Sequence, residues 1–234
     1  MHLLGVKMEE YLIRPVAHIH TDFKQKFGVP RQSGRVDSLI GKIVFTPEFR
    51  DETALRDIEK FSHLWLIFGF SLVPDAPFSP AVRPPRLGGN YKTGVFASRS
   101  PFRPNRLGLS SVRLIAVEKS KTEGYVLLVS GADLVDGTPI YDIKPYLSFS
   151  DSHTDSTDGY AKDQVGHLLK VNYTDEIISV LPEDKRQAVI DCIAQDPRPS
   201  YVDEEREYGM SFGGYNIRFT VNGEIATVIE ITKE

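Results

Sequence analysis

The sequence holds one cysteine, Cys192, in 234 residues. A single thiol cannot close an internal disulfide or build a multi-cysteine zinc site, and its setting, RQAVIDCIAQ, reads as the apolar face of a helix. Such sparing use of cysteine suits a reducing cytoplasm. No apolar run approaches the ~18 residues of a membrane span. The opening MHLLGVKMEE has too short an apolar core for a secretory signal. G-x-G-x-x-G, G-x-x-x-x-G-K, H-E-x-x-H and G-x-S-x-G are all missing. A Rossmann dinucleotide site, a P-loop, a zincin centre and an α/β-hydrolase nucleophile therefore have no support.

The most informative absence is of acid. Net charge is −4, yet between Ala76 and Val117 there is no Asp or Glu and there are seven basic residues: Arg83, Arg86, Lys92, Arg99, Arg103, Arg106 and Arg113. Residues 1–150 carry 20 basic and 15 acidic side chains, whereas residues 151–234 carry 8 and 17. A local positive field of this kind suits an anionic ligand, even in an acidic protein.

Hydrophobic patterning predicts the elements. YLIRPVAHIH (11–20) reads as an opening strand, TDFKQKFGVPRQSG as a polar loop, and LIGKIVFTPEF as a second strand. DETALRDIEKF spaces Leu55, Ile58 and Phe61 as a short helix would. HLWLIFGFSLV is continuously apolar, as in a strand buried on both faces. PDAPFSPAVRPPRLGGN is loop. YKTGVFA, LGLSSVRLIAVEK, GYVLLVSGADL and GTPIYDIKPYL read as further strands. At least six strands without a βα rhythm point to an antiparallel or mixed β-barrel. DSHTDSTDGY (151–160) reads as a linker, which divides the chain into a barrel at 1–152 and a small α+β unit at 160–234. In that unit a strand is expected near Leu168–Tyr173, a helix over EDKRQAVIDCIAQ, and a hairpin of YNIRFTV and EIATVIEI about a type I′ Asn222-Gly223 turn.

The chemistry concentrates in SRSPFRPN. Pro101 and Pro104 fix two backbone angles and push Ser100 and Arg103 toward extended conformations, so a stiff loop displays Arg99 and Arg103. Arginine grips carboxylate or phosphate with a planar fork, and Asn105 adds a turn former with a donor and an acceptor. PRQSG (30–34) and SGADLVDGTPIYDIKPY (130–146) are the other candidates. Asp133, Asp136 and Asp142 in the latter either bind a cationic group or hydroxyls, or balance the arginines as ion pairs. His18 and His20 share one strand face, which is compatible with metal ligation, but no third ligand is apparent and a solvated strand face is the simpler reading. His63 reads as a capping or core histidine.

FGVPRQ, FSHLW, RPPRLGGN, GVFASRSPFRPNRLGLS and DLVDGTPIYDIKPY occur in this order in the TrmO family, also called TsaA-like or YaeB-like, and the chain resembles that family over nearly its whole length. DPRPSY (196–201) followed by YNIRF (215–219) is similar to the extra C-terminal domain of its longer bacterial members. The resemblance implies a homodimeric, mainly β, closed β-barrel methyltransferase of non-Rossmann type. Such an enzyme uses S-adenosylmethionine to methylate N6 of N6-threonylcarbamoyladenosine at position 37, beside the anticodon of tRNA. Carried onto this chain, cofactor binding falls on Pro30, Arg31, Gln32, Ser71, Leu72, Arg99, Leu109, Ser130, Gly131, Ala132 and Asp133. Arg86, Arg103, Asn105 and Arg106 would grip nucleotide and RNA, with Phe102 and Tyr91 available for stacking. Asp136 and Tyr141 are the candidate proton acceptors. One departure is visible: a Phe-His pair expected at the end of the buried strand is Phe70-Ser71 here. The alternatives from other classes are a non-catalytic RNA-binding barrel and a metal-dependent enzyme built on His18 and His20.

Overall fold

The computed structural model describes residues 10–74, 77–84, 91–164, 167–198 and 206–234. Numbered in chain order, the strands are β1 (Ala17–His20), β2 (Ile40–Phe45), β3 (His63–Gly69), β4 (Ala81–Val82), β5 (Thr93–Gly94), β6 (Leu107–Ser120), β7 (Gly124–Ser130), β8 (Thr138–Pro145), β9 (Lys170–Asn172), β10 (Glu207–Phe212), β11 (Tyr215–Asn222) and β12 (Ile225–Lys233). The α-helices are α1 (Ser148–Asp151), α2 (Asp175–Ile178) and α3 (Glu183–Ala194).

Six strands close on themselves in the order β1-β2-β7-β6-β3-β8, and every pairing is antiparallel. Period-2 alternation fills the interior with Ala17, Ile19, Ile43, Leu64, Leu66, Phe68, Val112, Leu127, Val129 and Ile140. β3 corrects the expectation of burial on both faces. Leu64, Leu66 and Phe68 point inward, while Trp65 and Ile67 are half-buried on the outside. The outer residues are apolar because α1 shelters them: the Trp65 indole donates to Asp151 at 2.8 Å, and its ring lies 5.5 Å from Tyr146.

Three other expectations are corrected. DETALRDIEKF forms two 3-10 turns, Glu52–Leu55 and Ile58–Lys60, separated by Asp57 at φ +69. Leu55, Ile58 and Phe61 still pack on the barrel, but their spacing of three is the 3-10 repeat rather than 3.6. YKTGVFA yields only Thr93–Gly94 of strand before a 3-10 turn at Val95–Ala97, whose Val95 is buried. The opening strand shortens to Ala17–His20, leaving Tyr11 and Leu12 exposed.

The second sheet runs β10-β11-β12-β9 and carries α3. The predicted helix and hairpin are present, but the turn is displaced by one residue. Asn222 pairs with Ile225, and only Gly223 of the two loop residues has positive φ, the pattern of a type II′ turn. The type I′ position is Gly213-Gly214, both at positive φ, joining β11 to β10. β10 was missed by the sequence reading. Cys192 lies in this core at 1% exposure, and burial pushes its thiol pKa well up, with Asp191 adding to it.

The second core is not closed by residues 160–234 alone. Phe23, Val36 and Leu39, from the long connection between β1 and β2, are buried in it. Phe23 meets Phe212 edge-to-face at 5.0 Å. Lys185 grips Asp22 at 2.6 Å, and Ser38 donates to Asp191 at 2.5 Å. The connection reads as polar because its apolar residues lack any period, yet three of them are core.

Candidate active site

Three segments converge at one edge of the barrel. The first is the arginine loop, pinned at its start by buried Val95 and tied by its own serines. Ser98 Oγ donates to the Val95 carbonyl, and Ser100 and Phe102 amides donate to the serine hydroxyls two residues back. Arg103 Nη1 donates to the carbonyls of Ser98 (3.0 Å) and Ser100 (3.4 Å). Arg106, at φ +48, receives the Phe70 amide on its carbonyl and donates to the Val73 carbonyl. Arg103 and Arg106 thus hold the loop in shape. Arg99 is exposed and reaches across to Gln32 Oε1.

The second segment is PRQSG. Pro30 is buried, Gln32 Nε2 donates to the Arg31 carbonyl, and Arg31 Nη2 donates to the Arg198 carbonyl at 2.6 Å. The third is the turn after β7. Ser130, Gly131 and Ala132 are buried, and Gly131 stands at φ +75 with its missing Cβ only 3.1 Å from Gly34 Cα. This close approach demands glycine and lets the Gly34 amide donate to the Gly131 carbonyl at 2.8 Å.

Asp133 sits where the segments meet. Its carboxylate accepts from Ser110 Oγ at 2.6 Å, and the nearby Ser33 amide weakly favours its charged form. Burial raises its pKa, against the opposing pull of the Ser110 hydrogen bond, its own amide and the Arg99 charge. An anionic acceptor in a dry wall, beside an accessible guanidinium, can hold a ligand carrying both an ammonium and a carboxylate. Ser110, 3% exposed, is the residue that sequence reasoning missed. Its signal was a serine at an inward position of a strand.

The other predicted residues lie around this group. Ser71 and Leu72 are exposed just after β3, and Tyr141 lies over Gly69, where an added Cβ would come within 2.8 Å of its hydroxyl. Asn105 is exposed at the loop tip, as are Phe102 and Tyr91, while Arg86 lies outside the described residues. The Leu109 side chain points away from Asp133, onto the outer wall. There it lines a groove of about 340 Å³ with Trp65 and Ile67. Asp136 Oδ1 is engaged by His20 Nδ1 at 3.1 Å and by the Thr21 amide at 3.2 Å. Asp142 pairs with Lys144 at 2.7 Å. His63 is exposed and bonded to Ser62, neither core nor cap. Among the described residues no group of three His, Cys, Asp or Glu could hold a metal. A second groove, of about 400 Å³, lies between β1, β2 and α3. Its lysines are already paired, Lys42 with Glu123 and Lys185 with Asp22, so neither is free for an anionic ligand.

Residues 18–152 match the family model described as the tRNA-methyltransferase O N-terminal domain, and residues 167–234 match the TrmO C-terminal domain. The chain belongs to the TrmO family. It is 39% identical to a tRNA (adenine(37)-N6)-methyltransferase of Escherichia coli, over 92% of this chain and 94% of that one. It is 48% identical to a protein of the same name from Eikenella corrodens, over 72% and 95%. A crystal structure of TrmO from Pseudomonas aeruginosa superposes with a TM-score of 0.80 at 29% identity, covering 98% of this chain and 100% of that one. The TrmO likeness thus spans both the barrel and the second sheet.

Proposed function

We propose that this protein methylates N6 of adenosine 37 in tRNA, using S-adenosylmethionine, and that the adenosine it takes carries a threonylcarbamoyl group. The observation that supports this most is the Arg99–Gln32 contact together with a Ser110–Asp133 bond whose carboxylate feels the Arg99 charge, in a chain similar over most of its length to tRNA (adenine(37)-N6)-methyltransferases. S-adenosylmethionine supplies an electrophilic methyl group on a sulfonium. Asp133 would accept from its ammonium or ribose hydroxyls. Arg99, oriented by Gln32, would take its carboxylate, since Arg31 is already held by the Arg198 carbonyl. The turn from Ser130 to Ala132 offers backbone groups to the adenine. Asp136 and Tyr141 are the proposed proton acceptors. Contact between Tyr141 and Gly69, one residue before the Phe70 anchor of the arginine loop, favours Tyr141. A ureido nitrogen is more acidic than a plain exocyclic amine, so a weak base suffices. Alignment and exclusion of water carry most of the remaining demand.

The threonyl carboxylate and anticodon phosphates are anions, which suits the acid-free segment from Ala76 to Val117. The reading includes a homodimer working in the cytoplasm. Its test is methyl transfer from labelled S-adenosylmethionine to threonylcarbamoylated tRNA and to the same tRNA without that group. Transfer should occur only to the first, and tRNA affinity should fall steeply, by ten-fold or more, between about 50 and 200 mM salt. Equal transfer to both would remove the threonylcarbamoyl part, and binding indifferent to salt would remove the arginine grip.

Arg103→Ala should cut turnover at least ten-fold and lower the melting temperature by several degrees while the protein still folds. It frees two buried-side carbonyl contacts, each a charge-assisted bond worth ~1.5–3 kcal/mol, and so loosens the display of Arg99. Turnover equal to wild type in a steady-state assay would take the loop out of the site.

A further inference from the structure

The C-terminal unit carries 17 acidic and 8 basic residues from 151 onward, so phosphate repels it, yet it grips the loop that the cofactor reading needs most. We infer that this unit is a positioning device for the S-adenosylmethionine pocket, acting through a part-buried Asp196–Arg198 pair that fixes Arg31. The inference rests on the reading of the Arg99–Asp133 group as that pocket.

α3 is capped by Gln195, and Asp196 follows at φ +50 with its amide on the Ile193 carbonyl. Its carboxylate then takes both arms of the Arg198 fork, Nε at 2.8 Å and Nη2 at 3.0 Å, and the Arg198 amide at 3.3 Å. Both side chains are mostly shielded, at 14% and 13% exposure, so solvent screens this pair less than an exposed one. The closed turn aims the Arg198 carbonyl at Arg31 Nη2, 2.6 Å away. From Arg31 the chain of contacts continues through its carbonyl to Gln32 Nε2, and through Gln32 Oε1 to Arg99. The amide of Ser33, the next residue, weakly favours the charged form of Asp133. Beside this chain Gln195 holds Arg35 twice, by Arg35 Nε to Oε1 (3.4 Å) and by Nε2 to the Arg35 carbonyl (3.3 Å). Val36 and Leu39 are then buried in the second core. The loop that presents Gln32 and Ser33 is therefore clamped on both sides by residues of the C-terminal unit. Asp196 and Arg198 are positioning residues: they touch neither ligand.

Asp196→Asn tests this, because asparagine tolerates the positive φ and keeps an acceptor while losing the charge. Calorimetry on the full chain should give an S-adenosylmethionine Kd raised at least ten-fold, with tRNA affinity unchanged. At saturating cofactor kcat should stay within about three-fold. Arg31→Ala should raise the Kd too, and the double variant should be no worse than the worse single one, since both act through one path. Unchanged cofactor affinity in Asp196→Asn, additive effects in the double variant, or a loss confined to tRNA binding would each overturn the inference, the last in favour of an RNA-docking role. If Asp196→Asn lost its cooperative melt, Arg198→Lys supplies the same readout, keeping the charge and the carbonyl but not the fork. Wild-type protein that fails to bind S-adenosylmethionine would instead defeat the reading of the pocket itself.

Discussion

Asp133→Asn should weaken S-adenosylmethionine binding about 100-fold while the barrel stays folded. The carboxylate sits among donors from Ser110 and Ser33 with Arg99 nearby. An amide in its place lacks the charge and turns a donor of its own toward them. Losing a charged acceptor in a shielded site costs ~1.5–3 kcal/mol, and ~1.4 kcal/mol is ten-fold in affinity. The pH dependence has a definite sign. Burial lifts this carboxyl above its ordinary 3.8, so the folded state holds the proton to higher pH than the unfolded chain does. Between those two values the folded state binds more protons, and stability falls as pH rises through the window. Cofactor affinity moves the other way, rising as the carboxylate ionises to meet an ammonium. Calorimetric titrations through mildly acidic pH should show that rise in wild type and a flat profile in Asp133→Asn. A wild-type affinity that ignores pH there would mean that Asp133 does not face the cationic group.

Phe23→Ala should destabilise the protein by about 3–5 kcal/mol, the range for deleting a buried aromatic ring. Phe23 is 1% exposed and packs edge-on against Phe212, although it belongs to the connection between two barrel strands. The loss should appear in the C-terminal sheet, as an earlier urea transition by fluorescence or far-ultraviolet dichroism. Cofactor binding should weaken with it, because the same connection presents Gln32 and Ser33. A change below 1 kcal/mol would show that the ring is an ornament of the loop and not part of the second core.

Alternation made the barrel strands legible. β6 is fourteen residues of mixed pattern bounded by the arginine loop and a turn, and its extent was readable almost to the residue. β10 was not, because EYGMSF has too few branched residues to announce a strand, and the Gly213-Gly214 pair beside it went unread as a turn. Charge statistics led to the arginine loop, but charge alone could not separate Arg99, which reaches outward, from Arg103 and Arg106, which tie their own backbone. Ser110 was legible in principle, as a polar side chain at an inward position. The packing of residues 23–39 was not legible at all, since it depends on a surface assembled from residues 169–231, which no local pattern encodes.

That long-range packing dictates an order of events during synthesis. Barrel strands leave the ribosome first, but the segment between β1 and β2 must wait for partners that lie some 140 to 200 residues further along. Most of those partners lie in α3, β10, β11 and β12, so Phe23, Val36 and Leu39 leave water only once these elements are made. Nascent chains stalled before α3 would carry a barrel whose Gln32 and Ser33 lack the Gln195 and Arg198 tethers. The loop that presents Gln32 and Ser33 therefore takes its final shape only after both the barrel and the second sheet have been made.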